Sequence, residues 1–131
     1  MIKNHLQDDK HVLFFEDDKP ISYLYIASVP VEIDQKRQVL FGIGNVCVAT
    51  KKKGTGIGRE TVCFANELIR KESGRGILLC HGNLTGFYQK CGWREIEVNK
   101  AFLLGEEYFH KIMLLDEETL KYNTIKIERN F

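Results

Sequence analysis

Three glycines stand at alternate positions in Lys53-Gly54-Thr55-Gly56-Ile57-Gly58. A stretch from Arg59 to Ser73 follows at once, and its apolar residues Val62, Ala65, Leu68 and Ile69 recur at helical spacing. A strand, then glycines, then a helix start can hold a phosphate. The first-turn N–H groups of a helix have no partner within it, the helix dipole favours negative charge there, and glycine lets an anion approach without a Cβ in the way. A nucleotide P-loop would need G-x-x-x-x-G-K-[ST], but Gly58 is followed by Arg59-Glu60. A dinucleotide loop would need G-x-G-x-x-G, and the glycine spacing here is different. The context favours a phosphate group over a plain flexible turn. The Lys51-Lys52-Lys53 run either lies over that phosphate or forms a solvated turn.

Cysteine chemistry is less promising. Cys47, Cys63, Cys80 and Cys91 are scattered with no C-x-x-C pair, so neither a zinc site nor a redox dithiol is expected, and no metal is assigned. Apolar neighbours suggest small buried hydrophobes with reduced thiols. Cys80-His81 does not make a nucleophile–base pair, because successive strand residues point to opposite faces.

The elements that must position the glycine loop are readable. Residues 1–10 are polar and form a frayed entry or a short helical end. His11–Glu16 is predicted as a strand ended by Asp17-Asp18-Lys19-Pro20, and Ile21–Val29 as a second strand. Glu32–Arg37 breaks the pattern. Val39–Val48 makes a third strand, whose Gly42 and Gly44 suggest a bulge or close backbone approach. Short links make these three an antiparallel meander. The helix Arg59–Ser73 stops at Gly74. Gly76–Cys80 is a buried strand, parallel to the third because a helix joins them. Leu84–Cys91 reads as a short helix ended by Gly92, with strands at Trp93–Val98 and Tyr108–Leu115. Tyr122–Phe131 adds a last strand or dangles. The order β-β-β-α-β-α-β-β predicts an α+β mixed sheet in one domain, residues 1–131.

Composition agrees. Hydrophobic residues make up 44% of the 131 and charged residues 28%, enough for a core and its surface. Nineteen Lys and Arg against 18 Asp and Glu leave a net charge of +1, which offers no electrostatic footprint for nucleic acid or an anionic membrane. No apolar run is long enough for a membrane span, and Met1–His5 opens no secretory signal, so a cytoplasmic chain is expected.

Two segments together carry a family resemblance. Lys53–Gly58 resembles the [QR]-x-x-G-x-[GA] acetyl-CoA loop of the GCN5-related N-acetyltransferases (GNAT), with Lys53 where Arg or Gln is usual. Asn83-Leu84-Thr85-Gly86-Phe87-Tyr88-Gln89-Lys90-Cys91-Gly92-Trp93 resembles the family's FYxxxGF segment. The resemblance spans about residues 11–115. It implies a mostly antiparallel sheet with a splayed central parallel pair ending at Val48 and Cys80, flanking helices and direct acetyl transfer from acetyl-CoA to an amine of a small molecule or peptide. It also implies that the pyrophosphate lies on the amides of Gly54, Thr55, Gly56, Ile57 and Gly58 and on Arg59. The pantetheine arm would pair with Val46, Cys47 and Val48, and the Val48 N–H would polarise the thioester carbonyl. Tyr88 falls where relatives carry the tyrosine that protonates the leaving thiolate. Asn83 either bonds the pantetheine or caps a helix.

Relatives often place a glutamate base on the third strand, where this chain has Gly42, Gly44 and Asn45. Glu32, Asp34, His81 and His110 are substitutes, His81 first because it would sit at the mouth of the splay. The missing carboxylate keeps open a second reading, a degenerate module that holds acyl-CoA without turnover. Phe14, Phe15, Tyr23, Tyr25 and Phe41 either line an acceptor pocket or pack in the core; they are read, with Trp93, as packing residues, and none is assigned to the acceptor. The resemblance also implies a strand and two helices ahead of His11, where ten residues stand. A two-fold homodimer is therefore expected, in which the partner or the C-terminal tail covers one sheet face.

Overall fold

Two-residue turns organise the first part of the computed structural model, which describes residues 9–72 and 74–131. Strands β1 (Lys10–Glu16), β2 (Lys19–Ile33) and β3 (Lys36–Val48) form the expected antiparallel meander. Asp17 and Asp18 (φ 51° and 63°) and Asp34 and Gln35 (φ 48° and 71°) are left-handed pairs, the conformation that matches strand twist in tight hairpins. β2 runs to Ile33 and β3 starts at Lys36, so the expected break over Glu32–Arg37 shrinks to Asp34-Gln35. Val31 and Ile33 extend β2 because they are buried, and Asp34 Oδ1 fixes the turn by accepting the Asn123 and Thr124 amides, both at 2.9 Å. The expected N-terminal frayed entry lies largely outside the described residues.

Helix α1 (Ile57–Lys71) starts and stops two residues before the expected span; Ser73 lies outside the described residues. Gly74 closes it, donating its N–H to Ile69 O at 3.1 Å. Strand β4 (Gly76–Cys80) is parallel to β3. A 3₁₀ turn, Gly82–Leu84, and helix α2 (Thr85–Gln89) replace the single helix expected from Leu84 to Cys91.

The expected strand Trp93–Val98 is two strands. β5 (Trp93–Glu95) pairs with β8 (Lys111–Leu115), while β6 (Glu97–Leu103) pairs with β9 (Lys121–Ile127). The switch is at Ile96, whose N–H bonds to Ile112 O before the Glu97 N–H turns to Leu120 O. A short β7 (Glu106–Glu107) pairs back on β6, and the expected strand from Tyr108 begins only at Lys111. Among the described residues the sheet has the order β5-β8-β4-β3-β2-β9-β6-β7, with β1 on the same edge of β2 as β9, along Lys19–Ile26 where β9 pairs Val31–Ile33.

The mixed sheet has a core on each face. Val12, Leu24, Ile26 and Ile43 pack with Val62, Ala65 and Ile69 of α1. On the other face Val29, Val31, Leu40 and Ile77 pack with Ile125 and Ile127. The Phe131 ring closes this second core: a Cβ on Gly42 would come within 2.6 Å of it and 2.7 Å of Val29. Arg129 donates to Asp9 (2.8 Å) and to Ser28 O (3.0 Å), pinning the tail across the start of β1. The C-terminal Phe131 ring thus packs on this sheet face. Cys80 and Cys91 are buried as expected and Cys47 is exposed. Phe15, read as packing, is 60% exposed, because odd residues of β1 face away from α1.

One buried polar side chain joins α1 to the segment after α2. Asn66 Nδ2 donates to Cys91 O (2.8 Å), and Trp93 Nε1 donates to Asn66 Oδ1 (3.0 Å). Replacement of Asn66 by Ala strands a buried carbonyl and a buried indole N–H, each costing about 1–3 kcal/mol. We expect N66A to lose at least about 2 kcal/mol in urea unfolding with an unchanged m-value.

Candidate functional site

The site begins where two parallel strands stop pairing. β3 and β4 pair at Phe41–Gly76 and Gly42–Ile77, yet β3 continues to Val48 and β4 to Cys80. The cleft between them is the expected splay.

A bulge decides which backbone groups face that cleft. Tyr25 is paired with Gly44 but Tyr23 with Cys47, one residue more on β3 than on β2, and Asn45 takes φ 53°. Before the bulge Phe41 donates its N–H to Arg75 O on the β4 side; after it Ala49 donates to Ile21 O on the β2 side, both at 2.8 Å. Successive strand N–H groups alternate sides, so the extra residue has reversed the alternation. The Val48 N–H therefore faces the cleft. The glycine-rich third strand announced a bulge; its effect on Val48 follows only from the register.

The loop supplies the other wall. Gly54 and Gly56 have φ of 80° and 91°, which L side chains rarely adopt, and Gly56 is the N-cap of α1 with no side-chain cap. The first-turn amides of α1 are thus not covered by a side chain. Thr61 anchors this turn, donating to Ile57 O (2.7 Å) while sharing a 2.6 Å hydrogen bond with Ser22 of β2. Gly58 allows close packing, since its Cβ would lie 3.3 Å from Val48 Cγ2.

These walls enclose a cavity of about 710 Å³. Of the expected residues, Val46, Cys47, Val48, Lys53, Gly54, Gly56, Gly58, Arg59 and Tyr88 line it. Lys52 of the lysine run lines it too, as do Leu84 and Phe87, which were not anticipated as site residues although both lie inside the quoted motif. Lys52 is ion-paired to Glu16 at 2.5 Å. Thr55 and Ile57 do not line it: the Thr55 amide, expected on the pyrophosphate, donates to Lys52 O within the loop at 3.2 Å, as does its hydroxyl, and Ile57 is half-buried. Asn83 is exposed in the 3₁₀ turn, neither lining the cavity nor capping α2.

Tyr88 is 9% exposed, with its ring edge-on to Phe87 at 5.0 Å. Burial is the main reason its phenol is pushed up to about 12, with the nearby Cys80 and Cys91 thiols adding to it. It therefore remains a neutral donor across the neutral and mildly alkaline range.

The substitute bases lie elsewhere. His81 precedes the 3₁₀ turn, outside the cavity lining, and its ring meets His110 edge-on at 4.6 Å. Glu32 faces Lys126, and Asp34 holds the β2–β3 turn. A side chain on Gly44 is excluded as well, because its Cβ would fall 2.5 Å from the Tyr25 ring. Among the described residues no helix is long and apolar enough to cross a membrane.

This geometry is similar to that of several solved structures. Escherichia coli ElaA superposes with a TM-score of 0.62 at 21% identity, over 82% of this chain and 68% of that one. A GNAT-family acetyltransferase from Brucella melitensis, solved with acetyl-CoA, gives 0.54 at 22%, over 64% and 52%. The Escherichia coli GNAT-family N-acetyltransferase YhbS, solved with CoA, gives 0.62 at 13%, over 88% and 65%. No family model matches the sequence, and no curated protein matches it significantly. The chain spans between about half and two thirds of the length of these three proteins. At such identities the likeness is one of fold, and the fold is that of the GNAT acyl-CoA N-acyltransferases.

Proposed function

We propose that the chain transfers the acetyl group of acetyl-CoA directly to a primary amine. The observation that carries this reading is the convergence on one cavity of three groups: the uncapped first turn of α1, the inward Val48 N–H and the Tyr88 side chain. The first-turn amides and Arg59 bind the pyrophosphate, with the helix dipole behind them. Backbone groups of Val46 and Val48 that face the cleft bond the pantetheine amides as a strand would. Val48 N–H donates to the thioester carbonyl and gains strength as negative charge grows on that oxygen. Tyr88 gives its proton to the sulfur as the C–S bond breaks. Cys47, exposed at the cavity edge, is not needed as an acyl carrier.

One observation favours a second reading. Among the described residues no carboxylate and no imidazole lines the cavity, as a module that binds acyl-CoA without turnover would require. Release of CoA, followed with a thiol reagent over a panel of amines, polyamines, amino sugars and peptides, separates the two.

Placing a carboxylate at Gly56 tests the binding half. Gly56→Asp imposes a side chain at φ 91° and sets negative charge beside the phosphate position. Calorimetry on the folded variant should show acetyl-CoA affinity lost; unchanged affinity refutes the loop assignment. Tyr88→Phe tests the chemical half. It keeps the ring and most of its burial, so acetyl-CoA affinity should stay near wild type while turnover falls roughly tenfold to a thousandfold. Because the phenol is held near 12, the ratio of wild type to variant should stay constant from about pH 7 to about pH 10.

A further inference from the structure

We propose that Cys63 and Cys91 are a redox pair, closed by an oxidant of the peroxide class into a reversible disulfide between α1 and the segment that carries Tyr88. Helix geometry brings together two cysteines that lie far apart in sequence. Cys63, Asn66 and Arg70 stand three and four residues apart and so share one stripe of α1. Asn66 on that stripe holds the Cys91 carbonyl at 2.8 Å. One turn later Arg70 bonds Asp116, and its Nη2 lies 3.4 Å from where a Cβ on Gly92 would stand. The chain from Cys91 to Gly92 therefore runs along this stripe, and Cys63 is the stripe residue one turn before Asn66, at the Cys91 end. Both cysteines belong to the same core cluster, Cys91 buried within it and Cys63 packed against it.

The two thiols act on each other. Burial first, then the Cys63 thiol through its charge and a hydrogen bond, push Cys91 up to about 11, while Arg59, one turn before Cys63, pulls it down. Cys91 is 6% exposed and Cys63 half-buried, so a small oxidant reaches Cys63 first. The remaining cysteines are engaged elsewhere: Cys80 is turned to Met113 Sδ at 3.9 Å, and Cys47 stands exposed at the cavity edge on β3.

The bonds balance with hydrogen peroxide as the co-reactant. The Cys63 sulfur takes one peroxide oxygen as the O–O bond breaks, giving a sulfenic acid and one water. The Cys91 sulfur then attacks the Cys63 sulfur. The S–S bond forms, the S–O bond breaks, and the hydroxyl leaves with the Cys91 proton as a second water. The two thiols give up two hydrogens and two electrons, and a dithiol reductant reverses the step by exchange. Closure brings the sulfurs to about 2.05 Å, well inside the contact distance of two thiols. The pull falls on elements that build the cavity. Arg59 lies one turn from Cys63, and the Cys91 N–H donates to Tyr88 O at 2.9 Å. On the transfer reading above, the oxidised form holds Arg59 and Tyr88 off their working positions and turns over more slowly, since a shift of about 1 Å is enough to cost up to about a hundredfold.

The test treats wild type, Cys63→Ser and Cys91→Ala with hydrogen peroxide and then with dithiothreitol. Free thiols are counted, intact mass is measured and cross-linked peptides are mapped. The wild type should pass from four free thiols to two, lose the mass of two hydrogens and yield one linked peptide pair holding Cys63 and Cys91. The reductant should restore all four thiols. Neither variant should form an internal disulfide, and Cys63→Ser, changed at the half-buried position, decides the matter where Cys91→Ala fails to fold. Turnover of the oxidised wild type, with the amine that releases CoA fastest, should fall about tenfold or more and recover with reductant, while Cys63→Ser keeps its own rate throughout. Oxidation of Cys63 to a sulfinic acid without a disulfide, or a link through Cys47 or Cys80, overturns the pair. A Cys63–Cys91 disulfide that leaves turnover unaltered overturns its effect on the site. A wild type that releases no CoA with any amine removes the transfer reading alone, because the thiol count and the peptide map still decide the pair.

Discussion

Beyond Gly42 and Ile77 the central parallel strands stop bonding to each other, and the site depends on where the released backbone groups point. Unpaired N–H and C=O groups at the centre of a sheet are costly unless water or a ligand satisfies them. Here they line an open cavity of about 710 Å³, wide enough for both. The bulge at Asn45 selects the orientation: without its extra residue, alternation would turn the Val48 N–H toward β2 and a different set of groups into the cleft. One left-handed residue therefore sets the polarity of the cleft edge.

The parting is held open by contacts far from it. At the paired end, a Cβ on Gly76 would fall 2.7 Å from the Trp93 ring, so that indole sits directly against the β4 backbone. Asn66 bonds the same indole and the Cys91 carbonyl, which ties α1 to the segment just after α2. The element carrying Tyr88 is thereby fixed to the helix whose N-terminus forms the loop wall. On the opposite wall, Ser22 and Thr61 lock the first turn of α1 to β2. Loop, cleft and tyrosine form one rigid arrangement because three short hydrogen-bonded links join elements distant in sequence.

Much of this was legible in the residues, and what was not has a physical cause. The glycine loop, the amphipathic helix and the meander depend on local periodicity and turn chemistry, which sequence carries directly. β6 was missed because its partner β9 is a distant parallel strand and its half-buried residues show no clean alternation. Adjacency along the chain placed His81 at the cleft mouth beside Cys80, but the 3₁₀ turn that follows leads it to His110 instead. Likewise Asp9 and Arg129, at opposite ends of the described chain, meet only through the closed second core.

Under the proposed transfer, the depth of Tyr88 raises a question of proton matching that burial itself answers. A phenol near 12 donating to a thiolate whose free value is near about 8.5 faces an uphill transfer of roughly three and a half units. Desolvation, however, acts on any anion formed in the same place, and a departing thiolate would form beside that phenol. The protein's own thiols report this environment: burial raises both Cys80 and Cys91, which neighbour Tyr88. A sulfur anion formed there would be raised in the same direction as the phenol, so the gap in the cleft is smaller than the solution values suggest. Exposure would lower the Tyr88 value and also relax the thiolate toward its free one, restoring much of the mismatch. The arrangement therefore favours a donor that is buried together with its acceptor, which is what the packing of Phe87 and the Val48 edge around one cavity provides.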